Sequence, residues 1–332
     1  MEQKFLDILC CPITKQSLYL ETTKLFDNGT VEEGFLTTKN KEYKYPILKG
    51  IPRFVSKENY AKSFGFEWKK WALVQYESEN IGKPMENWTT KMFEKITSLP
   101  DEYFKNKLII DFGCGGGRFI DVVRKKGGTV VGIDMSLAVE PAKEYFINDK
   151  NVLIIQGDIL NPPFKENAFD MGYAIGVLHH TPNPFSAFKE LHKTLKKGAY
   201  LACCVYTKKG YYDFKSVRRF RKLIQITRFL FGYNLAILYA KFSATFLFKY
   251  FPYFSKVPKY GGDKIKYYLE QNWFPVLYLP DKRWRILDVF DSITPKYASA
   301  HTEEEVFSWY TNTNCSDIKN TDFFKSSFSG IK

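Results

Sequence analysis

Acidic residues vanish from one long stretch of this 332-residue chain. Between Phe214 and Gly262 there is no Asp or Glu, while Lys215, Arg218, Arg219, Arg221, Lys222, Arg228, Lys241, Lys249, Lys256 and Lys259 are all basic. This one segment carries most of the formal net charge of +13. The imbalance points to anionic partners for that segment, or to a solvated basic face over an ordinary apolar underside. Cysteine and histidine are scarce as well, with six and four copies. Cys10-Cys11 and Cys203-Cys204 do not have the spacing of a disulfide framework, and no Cys/His group has the spacing of a tetrahedral metal site. Reduced thiols and no metal are therefore expected. The Met1 region lacks a basic-then-apolar signal pattern, so a cytoplasmic chain is expected. Long apolar runs are nearly absent. Phe229 to Phe248 has the length of a membrane span, but Gly232, Asn234, Lys241, Ser243 and Thr245 interrupt it, leaving a peripheral contact of residues 214–262 with an anionic membrane surface as the membrane reading.

What the chain does have is a glycine-rich turn at its centre, Leu108-Ile-Ile-Asp-Phe-Gly-Cys-Gly-Gly-Gly-Arg-Phe119. An apolar β-type run enters the turn and a helix-like run through Ile120, Val122 and Val123 leaves it, as in the first strand, turn and helix of a doubly wound α/β domain. Gly113, Gly115 and Gly117 permit positive φ and close approach of a ligand to the backbone. Arg118 occupies the place of the third glycine in the dinucleotide fingerprint, which disfavours NAD. Asp111 would repel a pyrophosphate yet suit a ligand bearing an ammonium or sulfonium. Three further strands end in chemistry-bearing residues: Val130 to Asp134, Val152 to Asp158, and Phe169 to His180. Asp134 lies about 20 residues past the glycines, the spacing at which a carboxylate meets ribose hydroxyls.

Together these segments, from about Lys107 to Tyr206, resemble the class I S-adenosylmethionine (SAM) methyltransferases of the methyltransferase-11/UbiE-like type. The resemblance implies SAM as cofactor, with Asp111 and the glycines as motif I, Asp134 and Met135 at the ribose, Asp158 and Ile159 at the adenine, and Ile175 and Gly176 on the methionine side. It also places His179 and His180 beside the transferred methyl, where either could accept a proton. Ile293-Thr-Pro-Lys-Tyr-Ala-Ser-Ala-His301 resembles a loop facing the active site in related bacterial enzymes, adding Tyr297 and His301 to the candidate catalytic residues.

The first fifty residues, with Phe5 to Lys15, Leu18 to Leu20 and Tyr43 to Phe54, resemble the small β-rich Trm112-like fold. Thr14 stands where zinc-bearing members carry a second cysteine, so no zinc is expected. Tyr60 to Trp71 resembles a segment that folds over the cofactor, making Tyr60, Phe64, Trp68 and Trp71 candidate lid residues. The fold class expected is thus α/β: a Rossmann-like seven-stranded doubly wound sheet with a small N-terminal Trm112-like domain and a helical insertion. The expected divisions are 1–56 for the N-terminal domain, 57–104 for a helical linker or lid, 105–207 for the SAM-binding core, 208–285 for a basic aromatic cap over the acceptor, and 286–332 for the end of the sheet. Helices are expected over Pro184–Leu195 and from a capping box at Thr302 to about Thr311, and strands over Ala199–Tyr206, Cys315–Phe324 and Ser327–Ile331.

The expected function is methyl transfer from SAM to a small-molecule or lipid- or glycan-linked acceptor, anionic in one version, at oxygen. An RNA methyltransferase and a non-catalytic SAM-binding scaffold are the alternatives, and a dehydrogenase is a distant fourth. Apart from the Trm112-like unit the chain carries no recognisable RNA-binding module, so nucleic acid is not the expected partner.

Overall fold

The computed structural model describes residues 1–56, 59–256 and 262–332; Lys259 of the basic stretch lies outside them. At the N-terminus a 3₁₀ turn, Gln3–Ile8, leads into four antiparallel strands in the order β1 (Tyr19–Leu25), β2 (Val31–Thr37), β3 (Lys44–Leu48) and β4 (Ile51–Pro52). Leu36 and Ile47 are fully buried and join Phe5, Leu9 and Cys11 in a core that continues into the main sheet through Phe164, Ile133 and Ile155. Arg53 fastens the unit to the sheet edge. Its guanidinium donates to Gln156 Oε1 at 2.8 Å and to Glu140 Oε1 at 3.1 Å, and Arg53 forms a parallel bridge beside Gln156. The open edge of an outer strand is thereby covered.

The main sheet has seven strands: β5 (Leu108–Phe112), β6 (Thr129–Asp134), β7 (Val152–Gln156), β8 (Phe169–Ile175), β9 (Leu195–Cys204), β10 (Ser316–Asn320) and β11 (Ser327–Ile331). Their order is β10-β11-β9-β8-β5-β6-β7; β5 to β9 are parallel, β11 runs antiparallel to both its neighbours, and β10 therefore points the same way as β9. The near-continuous apolar runs of β5 to β8 follow from burial on both faces. Ile109 points to one face, with Phe93, Phe119, Ile120 and Val139; Ile110 and Phe112 point to the other, with Phe188, Leu191 and Tyr310. The first face is covered by α2 (Trp88–Thr97), α3 (Arg118–Lys125) and α4 (Val139–Tyr145), and the second by α5 (Pro184–Thr194) and α11 (Glu303–Thr311). Preceding α2, α1 (Lys62–Trp71) crosses the carboxyl ends of the strands.

Most local expectations hold, with one instructive shift. Asn183 caps α5 by accepting from the Ser186 amide, and Thr302 caps α11 by accepting from the Glu305 amide. Lys196-Lys-Gly198, expected as the tail of α5, instead belongs to β9, which ends at Cys204 rather than Tyr206. Gly198 takes φ +78° and its amide bonds to the Lys332 carbonyl, so the neighbouring strand captures a segment that local sequence reads as a helix terminus. The strand expected over Cys315–Phe324 is also shorter, Ser316–Asn320.

Between β9 and α11 lie α6 (Lys215–Phe231), α7 (Asn234–Phe242), a π turn (Ser243–Leu247) continuing into α8 (Phe248–Tyr250), then α9 (Gly262–Asn272) and α10 (Lys282–Ile293). Gly232 breaks the long apolar run into two helices, and no helix among the described residues is long and apolar enough to cross a membrane. Helices α6, α7 and α10 share a small core of Val217, Ile224, Ala236, Ala240, Val289, Phe290 and Ile293. Arg221 is buried there, donating to the carbonyls of Ser292 and Ala298, so it does not contribute to the basic surface.

Candidate functional site

Chain order leaves β5 in two directions, through β6 and β7 on one side and through β8 and β9 on the other. The divergence between β5 and β8 is the place where open α/β sheets bind ligands. A cavity of about 450 Å³ opens there, lined by the glycine turn, the ends of β6 and β8, the loop after β9, α1 and α10. Its volume suits a small organic ligand.

Gly113 takes φ +97°, and a Cβ on it would stand 2.2 Å from Val177 Cγ1. Only glycine fits. The turn is tied to the next strand, because the Gly115 amide donates to Asp134 Oδ2 at 3.0 Å while Ser136 donates twice to Oδ1. Asp134 and Met135 line the cavity, as do Gly113, Gly115, Ile159, Ile175 and Gly176. Gly117 starts α3 behind the turn, against the Tyr76 hydroxyl. Asp158 lies beside Ile159 with Oδ1 accepting from the Leu160 amide, and burial raises its pKa. Asp111 is deeper: its side chain does not line the cavity, burial pushes its pKa up to about 8, and Oδ2 has no hydrogen-bond partner. Below the glycine turn Asp111 is therefore held largely protonated beside the Tyr173 hydroxyl, and a cationic ligand end above the turn would favour its ionised form.

Of the four candidate lid residues, Tyr60, Phe64 and Trp68 line the cavity. Trp71 turns the other way and packs edge-on against Phe290 at 5.1 Å. Tyr76 adds an unforeseen clamp, its hydroxyl donating to the Gly116 carbonyl at 2.5 Å.

The candidate catalytic residues divide into two groups. His179 and His180 both line the cavity. His179 is fully buried, accepts from the Tyr206 amide through Nδ1 at 3.4 Å and leaves Nε2 unpartnered; burial, then the neighbouring His180, His301 and Arg221, hold its pKa well below the usual range. His180 Nδ1 lies 2.9 Å from the Tyr297 carbonyl, an acceptor, so the ring proton sits on Nδ1 and Nε2 is the basic nitrogen. Burial lowers the His180 pKa, opposed by Asp291. Neither Tyr297 nor His301 lines the cavity. Tyr297 supplies its carbonyl rather than its phenol, and its ring meets Tyr60 edge-on at 5.2 Å. His301 is engaged through both ring nitrogens, to Ser299 Oγ and Glu305 Oε1 at 2.8 Å each, and holds the chain beside Thr207.

Sequence reasoning missed the charged wall. Glu67 from α1 and Asp288 and Asp291 from α10 line the cavity with Arg118. Burial and the neighbouring carboxylates raise the Glu67 pKa, and burial followed by Asp291 pushes Asp288 up to about 7 against the pull of Arg118. The available signal was Leu287-Asp-Val-Phe-Asp291, two acids one helical turn apart among apolar residues. Around them stand Tyr206, Tyr211, Tyr212, Leu277, Leu279 and Trp284, the last five from the 208–285 segment.

Comparison with known proteins finds similarity to methyltransferases over part of the chain. Residues 110–203 match the family model described as "Methyltransferase domain". Demethylmenaquinone methyltransferase of Staphylococcus epidermidis is 37% identical over 104 residues, covering 30% of this chain and 43% of that protein. Cycloartenol-C-24-methyltransferase of Arabidopsis thaliana is 32% identical over 97 residues, covering 27% and 28%. The chain thus spans less than half the length of these curated relatives. A solved S-adenosylmethionine-dependent methyltransferase from Mesorhizobium loti is 22% identical, with a TM-score of 0.31, over 37% of this chain and 53% of that one.

Proposed function

We propose that the chain, whose residues 110–203 form a SAM-dependent methyltransferase domain, transfers a methyl group from SAM to an oxygen of a small-molecule or lipid-linked acceptor. The observation that carries this reading is the single cavity in which a glycine turn tied to Asp134 and a histidine with a free basic nitrogen face each other. SAM, when bound, supplies a methyl group already activated on a sulfonium. Asp134 and Met135 would hold the ribose, Ile159 the adenine, and Asp111, Gly113 and Ile175 the methionine end. His180 Nε2 would take the proton that the acceptor hydroxyl loses, and Tyr297 would steady the ring through its carbonyl. Trp68 and Phe64 exclude water from the reacting atoms, so that alignment supplies most of the acceleration.

The curated relatives' names point to quinone and sterol acceptors, the latter methylated at carbon. Both are apolar molecules. That supports the lipid-linked version, as does the exposed apolar surface of the helical region: Phe229 is 94% exposed, with Ile226, Leu230, Phe231 and Leu238 exposed beside it. The exposed Arg218, Arg219, Lys222, Arg228 and Lys241 belong to the same helices, and Lys249 to the following α8, which suits peripheral contact with an anionic membrane. The N-terminal four-stranded unit is, on this reading, a Trm112-like module that braces the sheet edge.

Calorimetric titration with SAM, S-adenosylhomocysteine and NAD tests the cofactor. Binding of the two adenosyl ligands alone, weakened at least tenfold in Asp134→Ala as expected for loss of a charged hydrogen-bond acceptor, supports the reading, and absence of adenosyl binding defeats it. Incubation with methyl-carbon-13 SAM and a lipid extract then reads the methylated atom from the carbon-13 shift.

A further inference from the structure

One wall of the cavity is charged where the rest is aromatic. Glu67, Asp288 and Asp291 place three carboxyl groups on a cavity wall lined by one guanidinium, Arg118, with Arg221, buried behind the wall, also facing Asp291. Glu67 is only 1% exposed, and its Oε2 has no hydrogen-bond partner. Asp291 is partly satisfied, since Tyr206 donates its hydroxyl to Oδ2 at 2.9 Å. Tyr212 stacks on Tyr206 with ring centroids 3.8 Å apart and planes within 1°. Carboxyl groups in excess of their cation, one of them unpaired and nearly inaccessible, are costly in a closed site as carboxylates; they take up protons, as the raised pKa values of Glu67 and Asp288 show, or a ligand brings positive charge. Tyrosine faces beside the carboxylates add cation–π attraction for the same ligand.

We propose that this wall binds a protonated amine carried by the acceptor, as an anchor rather than as the methylated atom. A protonated amine has no lone pair with which to attack a methyl group, so anchoring it leaves another atom, in our reading a hydroxyl oxygen, to be directed at the cofactor. The inference rests on the acceptor occupying this cavity as proposed above, and it narrows the acceptor to an amine-bearing molecule.

The test uses the full chain and three probes that share a phenol ring and differ at the other end: tyramine, tyrosol and 4-hydroxyphenylacetate. Binding is read from calorimetry and from the fluorescence of Trp68, Trp88 and Trp284, which line the cavity, with and without S-adenosylhomocysteine. Tyramine is expected to bind roughly tenfold or more tightly than tyrosol, with the carboxylate weakest. Glu67→Gln and Asp288→Asn should each shrink that preference while melting temperatures confirm folding. Equal binding of amine and alcohol, no binding of the amine at millimolar concentration, or a preference unchanged in both variants would overturn the proposal. So would variants that weaken SAM relative to S-adenosylhomocysteine yet leave tyramine untouched, because the wall would then serve the sulfonium. Failure of the adenosyl ligands themselves to bind would count against the methyltransferase reading alone, since the amine preference is also read in their absence.

Discussion

The indole of Trp68 lies against Gly115: a Cβ built on that glycine would stand 3.1 Å from Trp68 Nε1, and one on Gly116 would stand 2.9 Å from Trp68 Cε3. A lid residue and the cofactor turn are therefore in van der Waals contact. Replacing the indole by a methyl removes both the cover and its apolar area. Trp68→Ala should weaken S-adenosylhomocysteine binding by roughly ten- to a hundredfold, from about 1.5–3 kcal/mol of lost burial. Calorimetry beside a melting curve checks this; unchanged affinity in a folded variant would remove Trp68 from the lid.

His180 gives a pH prediction with a definite sign. Its pKa is held below the ordinary 6.5 by burial, so the ring is neutral and its Nε2 lone pair free at pH 7. Activity limited by this base should persist as pH falls through 6.5 and decline only at lower pH. Asp291 from α10 and Arg221 from α6 act on the ring with opposite sign; Glu67, Arg118 and Asp288 also line the cavity, and burial followed by Asp291 pushes Asp288 up to about 7. Its loss of charge on acidification appears in acceptor KM, whereas His180 appears in kcat. His180→Gln should lower kcat about 10²- to 10⁴-fold with little change in cofactor affinity. A kcat within a few-fold of the parent would assign the histidine to shaping the pocket.

The exposed tip of α6 makes the membrane reading testable without the acceptor. Sedimentation with vesicles of phosphatidylcholine alone and of phosphatidylcholine with phosphatidylglycerol should show capture by the anionic vesicles, weakening as salt rises. Phe229→Glu with Leu230→Glu should abolish capture and leave the melting temperature nearly unchanged, because these side chains are 94% and 72% exposed. Capture equal on neutral and anionic vesicles would remove the basic residues from the account.

The central sheet and its glycine turn were legible in the sequence because each of their signals is local. A strand, its terminal acid and the following turn lie within a dozen residues, and apolar runs broken by glycine state the strand–turn–helix order directly. The acceptor half was less legible. Glu67 and Asp288 come from opposite ends of the chain and meet only because α1 packs on α10 through Phe66, Trp71 and Phe290. No periodicity carries such a meeting. Tyr297 and His301 were expected at the acceptor for their side-chain chemistry. The structure instead uses a backbone carbonyl from Tyr297, and it spends both nitrogens of His301 on Ser299 and Glu305. Donor and acceptor capacity can be read from a residue's name, but whether it has already been used locally cannot.

Helix α1 presents consecutive residues to different tasks: Glu67 to the charged wall and Trp68 to the glycine turn. One helix thus lines both ends of a single cavity. A displacement of α1 would therefore uncover the glycine turn and the carboxylate wall together. Trp71, turned away from the cavity and packed edge-on against Phe290, ties the position of that helix to α10, so one aromatic contact outside the cavity aligns two of its walls.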